Sequence, residues 1–200
     1  MSQYRMTVDL NVLDHLADGL YSNVAAVLTE AVANAWDADA HNVDILIDIE
    51  NDAITITDDG IGMDQEAIND HYLRVGYRRR SEGDLTPNGR PVMGRKGIGK
   101  LSLMSIADVI DVFSKMDVKP PNGLRVTVSD LRDAMKEGSS EYHPLPIEVN
   151  EEEFSTGSGT RILISDLKHK RLRGVEAKSL KRRLARRFSI IGSDDFAVSV

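Results

Sequence analysis

The hydrophobic period of this chain changes near residue 40, and this change restricts the folds that the chain can adopt. From Asn23 to Ala38, apolar residues recur with the 3.6-residue period of an amphipathic helix. Over residues 43–49 and 54–56 they alternate with polar residues, as in half-buried strands. Asn51 and Asp52 lie between the two alternating segments and are typical turn residues. The sequence therefore predicts a helix followed by a β-hairpin.

The same patterns predict elements along the rest of the chain. Helices are expected at Asn11–Leu20, from a cap at Asp64 to about Val75, from Gly99 to about Ala107, from a cap at Ser129 to Gly138, and within the basic segment that ends at Arg187. Strands are expected at Val109–Phe113, Leu124–Val128, Ile147–Val149, Thr160–Ser165 and Phe196–Val200. Hairpins separated by helices favour an α/β (α+β) sandwich, in which a mostly antiparallel, mixed sheet carries helices on one face.

Composition limits the class of protein. The 200 residues, 41% of them apolar, are enough for one core, so residues 1–200 are predicted to form a single domain. No apolar run approaches the roughly 18 residues that span a bilayer, and the start of the chain lacks the pattern of a signal peptide, which favours a cytoplasmic protein. The chain has no cysteine, and its five histidines are scattered, so structural zinc is not expected.

Positive charge is concentrated in one segment. The chain has a net charge of −7, yet residues 161–187 hold eleven Lys or Arg against only Asp166 and Glu176. Such asymmetry is typical of a polyanion-binding face. Leu180, Leu184 and Phe188 recur every four residues among these charges, which is equally typical of an amphipathic helix with a solvated outer face.

The first motif lies in the long predicted helix. Glu30, Asn34 and Asp37 fall on one helical face, opposite a stripe of small apolar residues that can pack on a sheet. A carboxylate, an amide and a second carboxylate would then line a cleft. A polar stripe that simply faces water is the alternative.

The second motif, at residues 58–63, is Asp-Asp-Gly-Ile-Gly-Met directly after a predicted strand. Gly60 and Gly62 permit close backbone approach, and Asp58 can accept a hydrogen bond from a ligand amine. The motif suits a turn that binds a base, although ordinary glycine-rich turns share the pattern.

The third motif is a glycine loop that leads into a helix at residues 94–102. Its amides and the positive charges of Lys96 and Lys100 indicate phosphate binding. Gly94, Gly99 and Lys100 also have the spacing of a P-loop. Position 101 is Leu where a P-loop needs Ser or Thr for magnesium, and the preceding residues contain Pro91 instead of a buried strand, so the P-loop alternative is disfavoured.

Together and in this order, the three motifs resemble the N, G1 and G2 boxes of the GHKL ATPase superfamily (gyrase, heat-shock chaperone, histidine kinase, MutL). A later Gly159-Thr160 before a strand fits the same pattern. The resemblance covers nearly the whole chain and is strongest to the MORC-like and MutL-like branch. It implies the Bergerat ATP-binding fold, with a mobile lid at about residues 76–93.

The resemblance also implies roles for single residues. Glu30 would be the general base for hydrolysis, and Asn34 would bind Mg²⁺ with support from Asp37. Asp58 would accept from the adenine amine, assisted by Gly60, Gly62, Met63 and Thr160. The phosphates would lie on Gly94, Lys96, Gly97, Ile98, Gly99 and Lys100, whereas the lid residues Arg78, Arg79 and Arg80 receive no role.

The resemblance implies a Mg²⁺-dependent ATPase that dimerises on ATP binding and forms the N-terminal part of a longer protein. Such a domain would gate a machine that acts on DNA or on protein clients, with weak turnover in isolation. A nucleotide-controlled interaction module without significant hydrolysis is one alternative. A histidine-kinase-type catalytic domain is the other, although nothing before residue 22 resembles a phosphoacceptor helix.

Overall fold

The described part of this chain is built around a seven-stranded sheet. A computed structural model describes residues 6–7, 24–74, 83–94, 99–136, 141–150, 154, 157–167, 177–188 and 195–200. The sheet consists of β2 (Asn42–Asp48), β3 (Ala53–Asp58), β4 (Ala107–Lys115), β5 (Asn122–Thr127), β7 (Leu145–Pro146), β8 (Gly159–Leu167) and β9 (Ala197–Ser199). A two-stranded sheet pairs β1 (Met6–Thr7) with β6 (Glu141–Tyr142).

The sheet is mixed but mostly antiparallel, as the sequence predicted. Its strand order is β7-β5-β4-β8-β3-β2-β9. Every neighbouring pair is antiparallel except β2 and β9, which run parallel. The order brings the ends of β3, β4 and β8 together in the middle of the sheet.

Helices supply the other half of the core. They are α1 (Val24–Asp37), α2 (Gln65–Ala67), which continues into a π-helical turn (Ile68–Tyr72), a 3-10 helix (Gly99–Ser105), α3 (Val128–Lys136) and α4 (Ala177–Arg187). Leu28 of α1, Leu131 of α3 and Leu184 of α4 join alternate strand residues such as Ile45 and Ile164 in one buried cluster. Burial of each such side chain contributes about 1.5–3 kcal/mol, so the amphipathic period explains the α/β sandwich.

Local signals located several elements correctly. Asp48 accepts hydrogen bonds from the amides of Glu50 and Asn51 and so closes the predicted β2–β3 turn. Asp64 caps α2 by accepting from the Ala67 amide at 2.8 Å, as predicted. The predicted helix at Gly99 is a 3-10 helix that ends at Ser105.

Two predictions were wrong. The strand predicted at 147–149 begins two residues earlier and covers Leu145–Pro146. Ile147 and Val149 instead pack over Gly123, where an added Cβ would lie 2.6 Å from Val149 Cγ2. The predicted cap at Ser129 is also wrong, because α3 begins at Val128, directly after β5.

The predicted helix at Asn11–Leu20 and the predicted helix end at Gly138 lie outside the described residues. Within the described residues, none of the helices combines the length and the apolar character needed to cross a membrane.

Candidate functional site

The three polar residues predicted to line one face of α1 differ strongly in solvent exposure. Glu30 is half-buried, Asn34 is exposed, and Asp37 is only 3% exposed. The apolar stripe opposite them, which includes Val27, Leu28 and Val32, is buried against the core. One helical turn separates Glu30 from Asn34, so a carboxylate and an amide stand side by side at the surface of α1.

Asp37 joins α1 to the start of the glycine loop. Its two carboxylate oxygens accept hydrogen bonds from the amides of Met93 and Gly94, each at 2.7 Å. A Cβ at Gly94 would lie 2.8 Å from Asp37 Oδ2, so the residue at this position must be small. Asp37 thus positions the backbone that leads into the third motif. The predicted support of a metal shell by Asp37 stays a prediction.

The segment before Gly94, which is the second part of the predicted lid, is bonded to the end of α1. Asp39, buried and with φ of 58°, accepts from the Thr86 hydroxyl at 2.5 Å and from the Asn88 amide at 3.0 Å. Trp36 donates through Nε1 to the carbonyl of Pro91 at 2.9 Å. These contacts hold residues 86–91 against the body of the fold, whereas residues 75–82, including Arg78–Arg80, lie outside the described part.

Arg90 lies at the centre of these contacts. Its guanidinium lies 4.6 Å from the centroid of the Trp36 ring, in cation–π geometry. It also donates to the carbonyl of Ala40 at 2.5 Å and to that of Asp195 at 2.8 Å. The ring of Phe196 packs edge-on against Trp36 at 5.2 Å. Arg90 therefore connects the end of α1 with the chain that leads into β9.

The second motif packs beneath the same end of α1. The Ile61 amide donates to the carbonyl of Ala38 at 2.9 Å. A Cβ at Gly60 would lie 2.7 Å from this carbonyl oxygen, so glycine is required for the close approach. Because Ala38 follows Asp37 directly, all three sequence motifs meet at the C-terminal end of α1.

Asp58 ends β3 and is paired in register with Thr160 of β8. Its Oδ1 accepts from the Gly60 amide at 3.0 Å. Burial raises the pKa of Asp58 to about 6, although backbone hydrogen bonds from Gly60 and Thr160 oppose the rise. A half-buried carboxylate with a raised pKa at a strand end is typical of a functional site.

Asp59, the next residue, has the opposite electrostatic character. Burial alone would raise its pKa, but hydrogen bonds outweigh this effect and lower it. Asp59 accepts from the amides of His41 and Asn42 at 2.7 and 2.8 Å and from the Asn42 side chain at 2.7 Å. Asp59 is therefore a structural carboxylate that fixes the start of β2.

A buried hydroxyl that the sequence did not single out, Ser114 at the end of β4, organises the turn at Gly62. Ser114 Oγ accepts from the Met63 amide at 2.9 Å and lies 2.9 Å from Thr160 Oγ1. Gly62 has φ of 64°, and a Cβ there would lie 1.8 Å from the carbonyl oxygen of Lys115. Gly62, Met63 and Thr160 thus lie in one cluster with Asp58, and their predicted role at adenine stays a prediction. A serine near the end of a strand has no local sequence signal that separates it from a surface residue.

The glycine loop is described only in part. Lys96, Gly97 and Ile98 lie outside the described residues, whereas Gly99 and Lys100 begin the 3-10 helix, which packs against α1. Within the described residues, no three His, Cys, Asp or Glu side chains form a group that could bind a metal.

Residues 21–160 match the family described as histidine kinase-, DNA gyrase B- and HSP90-like ATPase. The chain belongs to this family.

Three relatives illustrate its range. The chain is 40% identical, over its whole length and 32% of the relative, to HgiDII of Herpetosiphon aurantiacus, named as a proposed type II restriction enzyme. It is 30% identical, over 60% of this chain and 21% of the relative, to the DNA mismatch repair protein MutL of Methanocorpusculum labreanum. It is 26% identical, over 52% of this chain and 20% of the relative, to the chaperone protein HtpG of Bacillus licheniformis. The chain spans a fifth to a third of the length of these relatives.

Proposed function

We propose that this chain binds ATP together with Mg²⁺ and hydrolyses it to ADP and phosphate. The observation that carries the proposal is the pair of hydrogen bonds from Met93 and Gly94 to Asp37, which ties the glycine loop to the helix that bears Glu30 and Asn34. Membership of the ATPase family supports nucleotide binding.

Adenine would lie at the end of β3. Ionised Asp58 accepts a hydrogen bond from the exocyclic amine of adenine. Thr160, which pairs with Asp58 from the adjacent strand β8, assists. Gly60 and Gly62 carry no side chain that would keep the base away from the backbone. Met63 packs beside them at the edge of the core.

The phosphates would lie beside the C-terminal half of α1. The amides that follow Gly94, including those of Gly97 and Gly99, donate to phosphate oxygens, and Lys96 and Lys100 add positive charge. Asn34 offers its side-chain oxygen to the metal. Bound Mg²⁺ neutralises charge on the phosphates during transfer.

Glu30 would act as the general base. It is half-buried one turn before Asn34, so its carboxylate would face the water that attacks the terminal phosphate, while Asn34 would hold the metal. A carboxylate in this position accepts a proton as the water attacks. An interaction module without hydrolysis needs Asn34 and Asp58 but does not need Glu30.

A Glu30→Gln variant tests this role, with Glu66→Gln, an exposed residue of α2, as the matched control. We expect Glu30→Gln to bind ATP normally but to lose hydrolysis, at least a hundredfold, in single-turnover assays with labelled ATP. Glu66→Gln should behave like the unmodified chain. Hydrolysis that survives in Glu30→Gln contradicts the base assignment. Label transferred to the protein favours the kinase alternative, and binding without any turnover in the unmodified chain favours the interaction module.

We further propose a cytoplasmic protein of the MutL-like or MORC-like branch that dimerises on ATP binding and gates a larger machine. The names of HgiDII and MutL favour DNA as the target, whereas that of HtpG favours protein clients. Light scattering with a non-hydrolysable ATP analogue tests dimerisation. A monomer at every protein concentration would refute it.

A further inference from the structure

The outer surface of α4 is strongly basic. Leu180, Leu184 and Phe188 are only 1–2% exposed and pack into the core, which fixes the orientation of the helix. The opposite surface carries exposed cations, namely Lys178, Lys181, Arg182, Arg183 and Arg186. At 3.6 residues per turn, these five cations cover roughly 200° of the helix circumference.

The charge of α4 is not neutralised within the described part of the chain. Exposed Lys136 of α3 has a carboxylate partner, Asp133, at 2.7 Å. By contrast, none of the five α4 cations forms a salt bridge with another described residue. The segment before α4, residues 168–173, adds four more Lys or Arg in sequence. Cations gathered on one helix of a chain with a net charge of −7 indicate a polyanionic partner.

The burial of the apolar face of α4 indicates which kind of polyanion this helix can bind. An amphipathic helix binds a lipid surface by inserting its apolar face, and the apolar face of α4 is already buried in the core. The major groove of B-form DNA is about 12 Å wide and admits an α-helix. Cations on the two sides of α4 can therefore reach the phosphates of both DNA strands that border the groove. The major groove of double-stranded RNA is too narrow for this contact.

We propose that α4 is a DNA-binding surface that contacts the phosphate backbone along the major groove of duplex DNA. Because the proposed contacts are made to phosphates and not to base edges, binding has little dependence on base sequence. Because α4 packs against α1, the DNA lies next to the helix that carries Glu30 and Asn34. This inference gives the proposed DNA association a surface within this chain and does not require ATP turnover.

Two double variants with matched charge test the proposal. Lys178→Gln/Arg182→Gln removes one Lys and one Arg, four residues apart, from α4. Arg132→Gln/Lys136→Gln removes the same pair of residue types, at the same spacing, from the exposed surface of α3. Binding of a short fluorescent DNA duplex is measured by anisotropy at several salt concentrations, and circular dichroism checks that both variants fold.

The unmodified chain should bind the duplex with an affinity that falls steeply as salt rises. Each lost phosphate contact weakens binding about tenfold at about 0.1 M salt, so the α4 variant should lose up to about a hundredfold, with a salt slope less steep by about 1.8. The α3 variant should bind within about twofold of the unmodified chain, since its cations make no phosphate contact. Equal losses in both variants, no binding at low salt, or tighter binding to duplex RNA or anionic vesicles would overturn the proposal. ATP binding, measured separately, should be the same in all three proteins.

Discussion

Replacement of Asp58 by Asn should strengthen the fold while it weakens nucleotide binding. The ionised carboxylate of Asp58 is half-buried at the end of β3, and loss of solvent there raises its pKa to about 6 from an ordinary value of 3.8. Asparagine has nearly the same shape and no charge, and its Oδ1 can still accept from the Gly60 amide. The substitution therefore removes a destabilising charge and retains a hydrogen bond.

The magnitude follows from the raised pKa. A rise of about two pKa units means that ionised Asp58 destabilises the folded state by at most about 3 kcal/mol. We therefore expect Asp58→Asn to raise the free energy of unfolding by about 1–3 kcal/mol at pH 7. The folded state holds the Asp58 proton more tightly than the unfolded state. The destabilisation is thus fully present above about pH 6 and is lost as the pH falls from 6 to below 3.8, where Asp58 is protonated in both states.

Urea unfolding at several pH values tests this reasoning, with the neighbouring Asp59→Asn as control. The pKa of Asp59 is lowered by hydrogen bonds that stabilise its ionised form, so this control should destabilise the chain by about 1 kcal/mol. ATP affinity of Asp58→Asn should fall about 10- to 100-fold, because the acceptor for the adenine amine loses its charge. A less stable Asp58→Asn, or an unchanged ATP affinity, would refute the argument.

Two further substitutions probe the surroundings of the site. Gly62→Ala should cost several kcal/mol in urea unfolding, because its Cβ would lie 1.8 Å from a backbone carbonyl oxygen. Gly83→Ala, also at positive φ but with open space around the Cβ, should cost only about 1–2 kcal/mol, and equal losses would contradict the steric explanation. Arg90→Gln should shift the fluorescence of Trp36, the only tryptophan, to longer wavelength as the ring loses its cation and gains water. An unchanged spectrum would show that Arg90 does not shield the ring.

Local chemistry explains which elements the sequence predicted well. α1 and the β2–β3 hairpin follow from periods of 3.6 and 2, which depend on side chains a few residues apart. The Asp64 cap is equally local. The Ile147–Val149 prediction failed because pairing with β5 begins at Leu145 and ends with the hydrogen bond from the Ile147 amide to the Gly123 carbonyl, beyond which the side chain of Val149 packs over Gly123. The roles of Glu30 and Asn34 rest on the order of the motifs and stay predictions.

Contacts between distant segments were decided by the tertiary structure alone. Asp37 and Asp39 look like the polar end of an amphipathic helix, but their partners lie 47 to 57 positions further along the chain. Ser114 gives no signal in sequence, because β4 is buried without alternation over residues 110–114 and only its neighbouring strands show that this hydroxyl lies inside. Such contacts depend on which strands become neighbours, which no local period encodes.

Asp58 and Asp59 show most directly the difference between what the sequence determines and what the tertiary structure decides. The sequence by itself determined that two carboxylates end a strand before a glycine turn. Only the folded sheet decided that Asp58 loses solvent beside β8, which raises its pKa, while Asp59 receives hydrogen bonds from the start of β2, which lower its pKa. The physical reason is that the free energy of a charge depends on the solvent and dipoles around it, and these are set by residues far away in the chain.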